Sequence, residues 1–154
     1  MATRGIIAVG NNGCLGEGWR GRYAHWDNYP ERIVGVLGAL VSRDGYEKVV
    51  QTLIHDNVSW STIDNDTTRF SDEMWGDDYR RNVIDGYGVV HDDMSPLDEF
   101  AWYDDECGAY SWACYVYVMT EHGVEVNTID RIDDRDVVTP SAFYTWAEAG
   151  VVTA

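Results

Sequence analysis

The stretch Ala109–Thr120 constrains the fold more than any other. It alternates Trp112, Cys114, Val116 and Val118 with Tyr115, Tyr117 and Met119. Both sides of this period-two pattern are apolar or aromatic, which predicts a strand with neighbours on both edges and material on both faces. Glu121-His122-Gly123 turns the chain, and Val124, Val126 and Thr128 against Glu125 and Asn127 predict a strand pairing back over 124–129. A central strand needs partners, and the N-terminal region supplies them. Ile6, Ile7 and Val9 mark a strand over 3–9, Asn11-Asn12-Gly13 is a hairpin signal, and Trp19 to Trp26 returns as a second strand.

Helical periodicity then takes over. Pro30 suits a first helical turn, with Asp27 or Asn28 as the expected cap. Ile33, Val34, Leu37, Leu40 and Val41 predict a largely buried helix. Arg43-Asp44-Gly45 breaks it, and Tyr46, Val49, Val50, Leu53 and Ile54 predict a second, amphipathic one. Pro140 reads as the start of a short C-terminal helix over Ser141–Ala149. The expected fold class is α+β in one domain, 1–154: an antiparallel sheet of about four strands (3–9, 19–26, 110–120, 124–129) with the two central helices on one face.

Charge divides the chain more sharply than periodicity does. Residues 1–55 hold five acids and six bases, a net of +1; residues 56–106 hold fifteen acids and three bases, a net of −12; the remainder carries −5. A field of −16 in all repels nucleic acid and anionic membranes and attracts basic protein surfaces, so direct nucleic-acid binding is not expected. No apolar run approaches the ~18 residues of a membrane span, and the opening Met-Ala-Thr-Arg-Gly has no signal-peptide core, so a cytoplasmic protein is expected. Cys14, Cys107 and Cys114 are odd in number and form no CxxC, which predicts reduced thiols.

Within 56–106 periodicity fades, and acidic loops with short helical or extended pieces are expected. Aromatic residues interleave with the carboxylates, a combination suited to interfaces, where aromatics anchor and charges steer. The partner-binding candidates are Asp72, Glu73, Trp75, Asp77, Asp78, Asp92, Asp93, Trp102, Asp104, Asp105 and Glu106. Gly16-x-Gly18-x-x-Gly21 matches a dinucleotide fingerprint only literally, because it lies in a hairpin rather than between a strand and a helix. Asp64-Asn65-Asp66 begins like a calcium loop but has Arg69 where glycine is needed and Trp75 where glutamate is needed. His91-Asp92-Asp93 lacks the spacing of any defined metal site. No metal and no cofactor is expected.

Tyr23-Ala24-His25-Trp26-Asp27-Asn28-Tyr29-Pro30 packs an imidazole, a carboxylate, an indole and two phenols into one strand-to-helix junction. In an extended strand His25 and Asp27 share a face, the arrangement of an oriented general base, and a hairpin register can bring Arg4 alongside. Arg4, His25, Trp26, Asp27 and Tyr29 are therefore the ligand-binding candidates, suited to an anion near a helix N-terminus. The alternative is purely structural, with Asp27 capping the helix and Trp26 in the core. No nucleophile sits in a recognisable elbow, so no catalytic residue is assigned and enzymatic activity is left open.

Thr3-Arg4 with Ile7-Ala8-Val9, Tyr23-x-His25-Trp26-Asp27-x-Tyr29-Pro30 and Glu47-Lys48-Val49 through Leu53-Ile54 resemble a group of small bacteriophage and prophage proteins. Members of that group read T-R-S-x-I-A, Y-C-H-W-D-G-Y-P and E-K-V-x-x-L-I. Asp56-Asn57-Val58-Ser59-Trp60 stands where the group has G-D-L-S-S-L, and Tyr115-Val116-Tyr117-Val118 is similar to its closing Y-x-Y strand. The likeness covers the first sixty residues and, loosely, 109–128. Gly5, Ala24 and Asn28 depart from the pattern, and the acidic middle has no counterpart in it. The resemblance implies a phage origin and the cytoplasm of an infected bacterium, and it carries no reaction.

Three functions follow as expectations. The first is an accessory binding protein whose acidic face engages a basic surface of a host protein, a nucleic-acid-binding or defence component, by imitating a phosphate backbone. The second is a protein that binds or sequesters a small molecule such as a nucleotide around His25-Trp26-Asp27. The third, an enzyme using His25 and Asp27 as a base, has the least to support it.

Overall fold

The computed structural model describes residues 3–70, 82–90, 102–110 and 112–151. Strand β1 (Gly5–Gly10) runs into a turn over Asn11–Gly13, where Asn12 (φ 57°) and Gly13 (φ 71°) take the left-handed conformations such a reversal needs. Strand β2 (Trp19–Ala24) pairs back antiparallel, Ile6 opposite Tyr23 and Ile7 opposite Arg22. Helix α1 (Pro30–Asp44) is followed by α2 (Tyr46–Val50), which continues as one π-helical turn over Gln51–His55. Then come β3 (Ser59–Ile63), β4 (Val83–Ile84), β5 (Gly88–Val90), β6 (Tyr103–Asp104), β7 (Tyr115–Thr120), β8 (Gly123–Ile132), β9 (Arg135–Thr145) and a last turn of helix, α3 (Trp146–Ala149).

These strands form one mixed sheet in the order β4-β5-β3-β2-β1-β7-β8-β9, with β6 also on β2. The expected antiparallel sheet of about four strands is therefore corrected: nine strands are present among the described residues, and β1–β7 and β2–β3 pair parallel. The physical reasons differ by region. Strands of two to five residues in the acidic segment offer too few alternations to register as a period. Parallel pairing joins segments far apart in sequence and leaves no local mark.

The expected Ser141–Ala149 helix is corrected as well, because Pro140 lies inside β9. That strand is an edge, and its register shifts between Val126 and Asn127 so that Pro140 faces Asn127 and Ala142 faces Val126. A residue without an N–H is tolerated at an edge bulge, so the proline marks a strand here and not a helix start. The strand expected from Ala109 begins only at Tyr115, since Trp112 has φ 65° and stands 83% exposed. The centrality predicted for it holds: β7 lies between β1 and β8.

The helices cover one face of the sheet. Ile7, Trp60, Tyr117, Met119, Val124 and Val126 meet Ile33, Leu37, Leu40, Leu53 and Ile54 in a single core, most of it fully buried. Each large aliphatic side chain removed from water there contributes about 1.5–3 kcal/mol before entropy is counted. Helix α1 meets α3 at Gly38, where an added Cβ would lie 2.6 Å from the Gly150 nitrogen. The opposite face carries a smaller cluster of Ile6, Ala8, Trp19, Tyr110, Ala113, Val116 and Val118, covered by the 102–114 segment instead of by helices. No helix among the described residues is long and apolar enough to cross a membrane.

Candidate functional site

The junction singled out from sequence is held by Asn28. Strand β2 ends at Ala24, and the His25 and Trp26 amides donate to the Trp60 and Ser61 carbonyls. Asp27 then takes φ 60° and reverses the chain. Asn28 is fully buried; its amide donates to Thr3 O, and its side-chain Nδ2 lies within 3.2 Å of the Thr3, Ala24 and Trp26 carbonyls. The Tyr117 hydroxyl donates to the Asn28 carbonyl, tying the junction to the centre of the sheet. The expected Asp27 or Asn28 cap is absent: Tyr29 holds the cap position without a side-chain bond, and Asn28 points inward.

The five ligand candidates are partly gathered. His25 Nδ1 lies 2.7 Å from the Tyr23 hydroxyl, and its ring meets Trp26 edge-on at 4.8 Å. Burial raises the Tyr23 pKa, and the charge of Arg4 opposes the rise. Arg4 Nε is buried and has no hydrogen-bond partner. Trp26 and Tyr29 are more than a third exposed. Asp27 stands apart: the left-handed turn takes its exposed carboxylate off the strand face, and no hydrogen bond joins it to His25. The His25–Asp27 base pair anticipated from alternation is thus not formed.

Of the partner candidates, Asp72, Glu73, Trp75, Asp77, Asp78, Asp92 and Asp93 lie outside the described residues. Trp102 is half-buried, with the guanidinium carbons of Arg22 and Arg20 at 3.4 and 4.1 Å from its ring centroid. Arg22 is fully buried, donates to Ile54 O, and is drawn down to about 10, first by desolvation and then by Arg20, so it stays cationic at neutral pH. Asp104 turns inward to its own loop, accepting from the Glu106 amide.

Asp105 and Glu106 instead line a groove of about 500 Å³ on the helix-free face. Its floor comes from Val118 on β7, Glu125 and Asn127 on β8 and Pro140 on β9; its walls come from Leu15, Gly16, Trp19, Gly108 and Tyr110. Asp105 Oδ1 accepts from the Trp19 amide, fixing the 102–114 segment to the hairpin. Asp136 accepts from the Tyr110 amide and pairs with Arg131 at 3.2 Å. A neighbouring hollow shares Tyr110 and Asp136 and is bordered by Trp112 and Arg131. Ion pairs among the described residues join Arg32–Asp64, Arg43–Asp44 and Arg131–Asp136; Asp105, Glu106 and Glu125 have none.

Sequence reading missed Glu125, Asn127, Tyr110 and Trp19 as one surface. The available signal was polar Glu125 and Asn127 on one face of a strand whose neighbour is apolar on both. Thiol chemistry gains no support: all three cysteines are free and exposed, and Cys107 is pushed up, by desolvation first and then by Asp104 and Asp105. No group of three or more metal-ligating side chains occurs among the described residues. Comparison with protein-family models, with curated proteins and with solved structures returned no match for this chain.

Proposed function

We propose that this chain is a binding protein that presents the acidic, helix-free face of its sheet to a basic surface of another protein. The observation that carries this reading is the groove in which Asp105, Glu106 and Glu125 lie without a basic partner beside the aromatic rings of Trp19 and Tyr110. Unneutralised carboxylates around apolar and aromatic contact area give charge steering together with anchoring. The sequence resemblance to phage proteins makes a host protein the partner, a nucleic-acid-binding or defence component whose phosphate site the carboxylates imitate. The test is titration of the chain against a panel of basic nucleic-acid-binding proteins from a bacterial host. Affinity should fall steeply between about 0.1 and 1 M salt, as the Debye length shrinks from about 10 to about 3 Å. No binding to any of them at low salt overturns the reading.

A second reading rests on the buried Arg4 Nε, which has no hydrogen-bond partner, on a residue whose neighbours Thr3 and Gly5 adjoin Asn28 and Ala24: a small anion such as a nucleotide bound at that corner, its base stacked on Trp26. Nucleotide should then raise the thermal midpoint of the wild type and leave Arg4→Ala and His25→Ala unmoved. Equal shifts in all three would dispose of this site.

A further inference from the structure

Strand β9 closes the sheet on one side, and its outer edge has a pattern of its own. Ile132 and Arg135 flank a two-residue turn in which Asp133 (φ 51°) and Asp134 (φ 65°) are both left-handed, so this flanking pair exchanges both of its hydrogen bonds. Alternation then turns the N–H and C=O of Asp136 and Val138, and the C=O of Pro140, away from β8. Past the bulge, where the Ser141 hydroxyl donates to Val126 O, the outward residues are Phe143 and Thr145. The two ends agree with this phase: the Asp136 amide donates to Gly108 O at 3.2 Å and the Thr145 amide to Glu148 Oε1 at 3.1 Å. Between these stops Val138 and Phe143 keep outward amides with no acceptor among the described residues, and Pro140 has no N–H to offer. Residues 137–145 carry no charged side chain although 25% of the chain is charged, so the usual defence of a sheet edge is missing here.

We propose that Pro140 is the residue that keeps this edge from adding a second copy of the chain. A second copy is the occupant that the spacing fits. The outward positions 136, 138, 140, 143 and 145 are evenly placed once the bulge absorbs Ser141. A two-fold axis at Pro140 therefore sets Val138 of one copy against Phe143 of the other, and each outward amide meets an outward carbonyl. Such an arrangement is self-complementary, as an isologous contact requires. Charge agrees, because two bodies of −16 repel least along a strip that carries none. Val137, Val138, Thr139, Phe143, Tyr144 and Thr145 have the β-branched and aromatic character that strand pairing favours, and Thr139 to Ser141 are exposed. What stands in the way is at the axis. There proline faces proline, and each ring sets a methylene where an N–H would donate, so two bonds are lost and the strands are held apart.

The experiment is sedimentation velocity of the wild type and Pro140→Thr over a concentration series, in salt high enough to screen the net charge. The variant restores two hydrogen bonds per dimer and removes the clash, so its self-association should be at least about tenfold tighter than that of the wild type. Hydrogen exchange at high concentration should show new protection at the Val138 and Phe143 amides in the variant and none in the wild type. Adding Phe143→Glu to the Pro140→Thr chain places a carboxylate on the edge and should return it to the wild-type mass. Should circular dichroism show that the threonine variant does not fold, Pro140→Ala takes its place with the same expected gain. Equal self-association of the wild type and the folded variant, protection of those two amides in the wild type, or association that leaves them unprotected would overturn the proposal.

Discussion

The two faces of this sheet are finished in different ways. On the helix-covered face Ile33, Leu37, Leu40, Leu53, Ile54 and Trp60 are all fully buried. Polar atoms forced in among them find partners: Trp60 Nε1 donates to Leu53 O and Arg22 Nε to Ile54 O. On the other face one irregular segment is the cover, Trp112 stands out into solvent, and Asp105, Glu106 and Glu125 line a groove without an ion pair among the described residues. Like charges gathered without a paired cation repel one another, so stability alone explains that surface poorly. The covered face holds the molecule together, and the other is the face proposed to meet a partner.

That contrast breaks most visibly at Trp60. Trp60→Ala should cost about 3–5 kcal/mol in urea unfolding, because it leaves a large cavity and strands the Leu53 carbonyl. Gly38→Val should cost about 1–3 kcal/mol, since its side chain has no room against Ala149 and Gly150. Tyr117→Phe removes the hydroxyl that satisfies the Asn28 carbonyl, and a loss of about 1–2 kcal/mol is expected.

A pH measurement sharpens the comparison at the rim of the covered face. Hydrogen bonds from Arg43 and then Tyr87 hold the Asp44 carboxyl down to about 2, against about 3.9 in an unfolded chain. Its contribution is therefore complete above the unfolded value and is lost as pH falls towards the folded one. Asp44→Asn should lower stability at neutral pH, flatten the profile between about pH 4 and pH 2, and match the wild type below about pH 2. The smallest effect belongs to the open face: Trp112→Ala should move stability by no more than about 0.5 kcal/mol. An effect there as large as that of Trp60→Ala would erase the distinction between the faces.

How much of this was legible in the sequence depended on how far apart the interacting residues lie. The β1–β2 hairpin, helix α1 and the interior position of β7 follow from turn chemistry and periodicity within short windows, whereas the second expected helix is a short α2 that passes into a π-helical turn. The parallel pairing of β1 with β7 does not, because nothing in either segment names the other. Pro140 misled for a physical reason: the missing N–H that suits a helix start equally suits an edge bulge. The His25–Asp27 pairing failed because one left-handed residue, Asp27, ended the alternation on which it relied. The groove was the least legible feature, since it joins the hairpin loop, the 102–114 segment and β7–β9. Asp105 and Glu106 were among the candidates by charge, while Glu125 and Asn127 read only as the polar side of a strand.

The central claim is that the helix-free face docks a basic partner, and hydrogen exchange in the presence of an arginine-rich peptide tests it most directly. The account predicts added protection over 105–110 and along β8, with the amides of α1 and α2 unchanged. Protection confined to α1 and α2, or to the His25–Trp26 corner, would contradict it.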